Sequence, residues 1–120
     1  MKTLKLDNPI KINGAEVTEL TYDANEITGL LFGEADARRQ LATASRVTNT
    51  RTGVVPTAEL DYTFHLYLGY AAVVAVNPAI SFEDLERAKG DDARQLMGIG
   101  RNFMLGKSEE PSTESNSDER

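Results

Sequence analysis

Ile10-Lys11-Ile12-Asn13-Gly14-Ala15-Glu16-Val17 sets the start of the fold. Apolar and polar residues alternate on both sides of Asn13-Gly14. A two-residue type I′ turn needs positive φ at both central positions, which Asn-Gly tolerates. The stretch therefore predicts a β-hairpin. Leu4 and Leu6 alternate with Lys5 upstream, and Thr18-Glu19-Leu20 lies downstream, so the hairpin covers residues 3–22. Pro9 lacks an N–H and belongs at a strand start or edge. One face carries Ile10, Ile12 and Val17, with Leu20 a candidate for the same face. A lone hairpin is marginal in water, so this face must pack on the rest of the chain.

The next region has helical spacing. Asp23 and Glu26 stand three apart, as in an acidic capping box. Ile27, Leu30, Leu31, Ala35, Leu41 and Ala42 recur with a helical period. Gly29 and Gly33 each cost ~1 kcal/mol against alanine in a helix interior. Residues 24–46 are thus one helix, or two broken near Gly33. Residues 47–56 are polar and read as a loop. Residues 60–76 are apolar almost all round, the pattern of a helix covered on several sides. Asn77-Pro78 stops it. Ser81, with Asp84 three residues on, caps a short helix ending at Gly90. Asp91 caps the next, over residues 92–105, whose inward stripe is Ala93, Leu96, Ile99, Gly100 and Phe103. Gly106 ends that helix. From residue 107 no large apolar side chain occurs, and five acids face two bases. Such a stretch cannot bury enough surface to offset its ordering entropy, so residues 107–120 read as a disordered acidic tail. The expected fold class is α+β, mainly α. It comprises one domain over residues 1–106, with the hairpin at 3–22 and a body of about four helices at 24–105.

Composition narrows function. Net charge is −6 with 120 residues, a poor match to nucleic acid or an anionic membrane surface. There are no cysteines, which removes disulfides and thiolate metal sites and fits a reducing compartment. The start of the chain alternates polar and apolar residues and does not read as a signal peptide. Residues 62–76 are shorter than the ~20 apolar residues a spanning helix needs.

Candidate chemistry has structural explanations. His65 is the only histidine, and Asp61, four residues earlier, shares its helix face. A histidine hydrogen-bonded to a neighbour is favoured over a metal ligand. Glu83-Asp84 and Asp91-Asp92 fall at helix N-termini, where the helix dipole favours negative charge. Gly98-Ile99-Gly100 comes after no strand, so it is not a phosphate-binding turn, and close helix packing accounts for it. A helix-turn-helix over residues 81–105 would set Asp91-Asp92 against phosphates. Met97 and Met104 are seven apart and flank the apolar stripe. With Phe103 they are the candidate partner-binding residues, since methionines make adaptable contact surfaces. No catalytic, cofactor-binding or metal-ligating residues are assigned, and the chain is expected not to be an enzyme.

The order of elements carries a resemblance. The opening, with Leu4, Leu6, Pro9, Ile10, Ile12, Gly14, Val17 and Leu20 at their spacing, is similar to that of small phage tail assembly chaperones of the Mu/P2-like type. Residues 80–92, Ile-Ser-Phe-Glu-Asp-Leu-Glu-Arg-Ala-Lys-Gly-Asp-Asp, with Leu96, Ile99 and Phe103 after them, resemble that family's C-terminal part. The likeness covers residues 3–22 and 78–105. It implies a non-catalytic chaperone in the host cytoplasm, absent from the mature virion. Such a chaperone binds the helical tape measure protein and keeps it soluble during tail assembly. A homo-oligomer is compatible with this role. The other reading is a structural phage component, such as a head-tail connector or tail-completion subunit.

Overall fold

A computed structural model describes residues 1–48 and 57–106, with side chains described for 1–42 and 62–106. An N-terminal hairpin of β1 (Lys2–Ile12) and β2 (Ala15–Tyr22) leads into a 3-10 turn, Ala24–Glu26. Four helices come after it: α1 (Gly29–Thr48), α2 (Thr57–Val74), α3 (Phe82–Leu85) and α4 (Asp91–Met104). The class is mainly α with a β-hairpin, as expected. The expected loop overlaps α1 at Val47 and Thr48, and its remainder lies outside the described residues, as does the acidic tail.

Asn13 and Gly14 turn the hairpin with φ of 53° and 83°, the left-handed pair a type I′ turn requires. The strands pair Ile12↔Ala15 and Ile10↔Val17, but then Lys5↔Glu19 and Leu4↔Leu20. Leu6, Asp7, Asn8 and Pro9 thus stand opposite Thr18 alone, a long bulge in β1. This irregularity matters to the core. Val17 and Leu20 are three apart, so plain alternation would send them to opposite faces. The slip brings both to the covered side, where Leu20 is buried and Val17 half-buried. Leu4, Leu6, Ile10 and Ile12 join them.

That face closes over one core built around α2. Leu68, Ala71, Ala72 and Val73 from α2, Phe82 and Leu85 from α3, and Leu96 from α4 share a cluster with the hairpin residues. The apolar run at 60–76 is therefore the central helix, in keeping with its pattern, although Tyr62 at its exposed end is open to solvent. The close of α2 is fastened to β2. Asn77 donates from Nδ2 to the Thr21 carbonyl at 2.8 Å and to the Val73 carbonyl at 2.9 Å. The Ala72 carbonyl accepts the Asp23 N–H at 3.0 Å.

Other helix ends differ in detail from expectation. Asp23 does cap, accepting the Asn25 N–H at 3.0 Å, but it caps the 3-10 turn. The long helix starts after Thr28, whose hydroxyl accepts the Leu31 N–H at 3.1 Å. It runs through Gly33 without a break. Ser81 and Asp84 form the reciprocal capping box expected from their spacing, at 3.1 and 3.0 Å. The short helix they open ends at Leu85, five residues before Gly90. Gly90 is the N-cap of α4, and Asp91 is its first residue.

The Ser81 cap yields a pH-dependent expectation. The Ser81 backbone N–H holds the Asp84 carboxyl below the usual carboxylate range. A carboxyl lowered in the fold stabilises above its unfolded pKa of ~3.9, and that stability is lost as pH falls through the lowered folded value. Asp84→Ala removes that acceptor and should cost ~1 kcal/mol at neutral pH in chemical denaturation. The gap to wild type should narrow below pH ~4.

Candidate protein-binding surface

The expected binding residues all lie on α4 but do not share one surface. Met97 is half-buried and lines an open groove of about 630 Å³ with Tyr22, Tyr62, Arg94 and Arg101. A neighbouring hollow of about 390 Å³ adds Thr63, Leu66 and Ala93. Met104 is 42% exposed, next to Leu105 at 57%. Phe103 turns elsewhere. Its ring packs against Phe32 at 6.2 Å, and Phe32 meets Phe64 edge-on at 5.5 Å. Phe103 thus joins α4 to α1 and α2.

A second apolar surface lies on α1. Leu30 and Leu41 are 81% and 76% exposed, and Gly33 and Ala37 between them are exposed too. Eleven residues are close to three turns, so the two leucines share a face ~16 Å long. The apolar spacing along this helix therefore divides into two stripes. Leu31, Phe32 and Ala35 face inward, while Leu30 and Leu41 sit more than a third of a turn round, facing solvent. Helical spacing alone groups all these residues, and burial separates the two stripes. At its far end Leu41 and Ala42 border a hollow of about 230 Å³, lined by Arg38, Tyr67 and Glu86.

Polar contacts hold this surface in place. Arg38 bonds Glu34 at 3.1 Å on its own helix and Glu83 at 2.7 Å on α3, with its guanidinium 4.8 Å from the Phe82 ring centroid. Arg38 in turn lowers the Glu83 carboxyl below its ordinary range. Tyr67 donates to Glu86 Oε2 at 2.6 Å, and its ring meets Tyr70 edge-on at 4.9 Å. Burial, then the bond to Glu86, pushes the Tyr67 hydroxyl well above the usual tyrosine range, and burial does the same at Tyr70. Neutral tyrosines thus fit the fold. Their contribution is present below the unfolded pKa of ~10 and is lost as pH rises beyond it.

Each member of the acidic pairs has a hydrogen-bond partner. Glu83 and Asp84 are engaged as above, and Asp91 bonds Arg94 at 2.8 Å and Gln95 at 3.1 Å. Asp92 is the exception to a simple dipole role. It is 1% exposed, and its two oxygens accept the backbone N–H groups of Asp7 and Asn8, both at 2.8 Å. Those are N–H groups that the bulge takes out of the β ladder. Nothing in the sequence links residues 85 positions apart. His65 is half-buried on α2, and the Asp61 side chain lies outside the described residues. Among the described residues, no three histidine or carboxylate side chains converge as metal ligands, and no helix is long and apolar enough to cross a membrane. No family model, curated protein or solved structure matches the chain.

Proposed function

We propose that this chain is a non-catalytic phage tail assembly chaperone that holds apolar helices of the tape measure protein in the host cytoplasm. The observation that carries the reading is the outer stripe of α1. Leu30, Gly33, Ala37 and Leu41 stay exposed although the core has a separate stripe of its own. Leucines three turns apart with small residues between them leave a flat apolar track, the surface an amphipathic helix docks on. Exposed apolar residues grouped on one face mark interaction sites, whereas scattered ones do not. The resemblance of residues 3–22 and 78–105 supplies the identity of the client.

Leu30→Glu/Leu41→Glu tests this, because both side chains are already in water and the exchange leaves the core intact. The variant should fold with a wild-type melting profile and lose at least ~10-fold in affinity for a helical tape measure fragment, as two desolvated apolar anchors are removed. Unchanged affinity in titration calorimetry would remove the α1 surface from the reading. Mass spectrometry of purified particles separates this role from a structural subunit: the chaperone is absent, the subunit present at stoichiometric level.

A further inference from the structure

The groove along α4 fits a different occupant from the α1 stripe. Arg94 and Arg101 stand two turns apart on its floor, with Gly98 between them. A Cβ added at Gly98 would meet nothing within 4 Å, so the floor is low and open there. Arg94 is shared with Asp91, but Arg101 is exposed and has no ion-pair partner among the described residues. Two arginines against one aspartate make this a positive strip on a chain of net charge −6. Tyr22 and Tyr62 wall it.

The chain leaves α4 beside this strip. Leu105 donates to the Arg101 carbonyl at 2.9 Å and Gly106 to that of Phe103 at 3.1 Å. Gly106, at φ +73°, turns the backbone off the helix axis. Residues 107–120 carry Glu109, Glu110, Glu114, Asp118 and Glu119 against Lys107 and Arg120. Fourteen residues can span up to ~46 Å. Arg101 lies ~8 Å and Arg94 ~18 Å back along the helix from Gly106. A short tether also supplies an effective concentration near ~1 mM, so even weak ion pairs are occupied.

We propose that residues 107–120 dock back into the α4 groove, with Glu109 and Glu110 on Arg101 and Glu114 on Arg94. The segment carries no large apolar side chain, so charge holds it there. Docking therefore weakens with salt, and an acidic partner would displace it. This does not depend on the chaperone reading.

The chain has no cysteine, so a nitroxide on Ser115→Cys labels the full-length protein at one site. At low ionic strength, the Met97 methyl and Arg101 amide signals should fall at least ~2-fold against the reduced label. They should recover near 1 M salt, where the Debye length is ~3 Å. They should also recover in Glu109→Gln/Glu110→Gln/Glu114→Gln, which leaves every groove residue unchanged. Three results would overturn the proposal. One is equal attenuation at Leu30 and Leu41, another is attenuation unchanged in the triple variant. The third is attenuation seen only between mixed labelled and isotope-enriched chains, which would assign the groove to a second copy's tail.

Discussion

Gly100→Ala is expected to lower stability by about 3 kcal/mol or more, for a single added methyl group. A Cβ at Gly100 would lie 1.8 Å from the His65 carbonyl oxygen. Carbon and oxygen do not pack closer than ~3.3 Å, so α2 and α4 would have to move apart. The same is true from the other side, where a Cβ at Gly69 would lie 1.9 Å from the Leu96 carbonyl oxygen. Both obstacles are main-chain atoms, which cannot rotate away as a side chain could. Separating these helices would open the packing around Leu68 and Leu96, both fully buried. Gly33 and Gly98 are the internal control. Each is helical, with nothing within 4 Å of an added Cβ. Alanine there should stabilise by about 0.5–1 kcal/mol. Urea unfolding monitored by circular dichroism reads all four. Equal, small effects at Gly100 and Gly33 would mean that α2 and α4 do not meet through their backbones.

The second large effect is at Asp92. Asp92→Ala removes the buried acceptor from the Asp7 and Asn8 N–H groups, which the bulge has already taken out of the β ladder. Charge-assisted bonds to a buried carboxylate are worth ~1.5–3 kcal/mol each, so a loss of about 3–4 kcal/mol is expected. Asp92→Asn keeps the shape but offers one acceptor oxygen to two donors, and should fall between wild type and alanine. The damage has a particular location. Hydrogen exchange should speed up most at Asp7 and Asn8, where β1 bulges, and then across Leu4 and Leu6. Uniform acceleration over the whole chain would mean that Asp92 only serves general stability.

These two sites are also the least legible in the sequence. Local chemistry is readable because its cause is local. Asn13-Gly14 fixes a turn through its own φ angles, and Ser81 and Asp84 satisfy each other's N–H groups across one helical turn. Asn77-Pro78 ends α2 for the same kind of reason. Asp92, in contrast, looks like an ordinary charge at a helix N-terminus, because its partners are on a strand at the other end of the chain. The bulge is hidden too, since alternation in β1 continues through it and only the pairing with β2 slips. Gly98-Ile99-Gly100 points to close helix packing, but of its two glycines only Gly100 meets the neighbouring backbone, and its counterpart Gly69 gives no signal inside an apolar run. On α1, period alone groups Leu30 and Leu41 with Leu31 and Ala35, although they face opposite environments. The candidate surface on α1 is therefore visible only through burial, whereas Met97 and Met104 on α4 stand out by their spacing.

The most direct test of client holding is co-expression with a tape measure protein, reading the soluble fraction of the client. With the wild-type chain most of the client should stay in the supernatant and co-purify. With Leu30→Glu/Leu41→Glu, expressed to the same level, it should pellet. A client that is equally insoluble with wild type, variant or no chain at all would contradict the reading of this protein as a chaperone for that client.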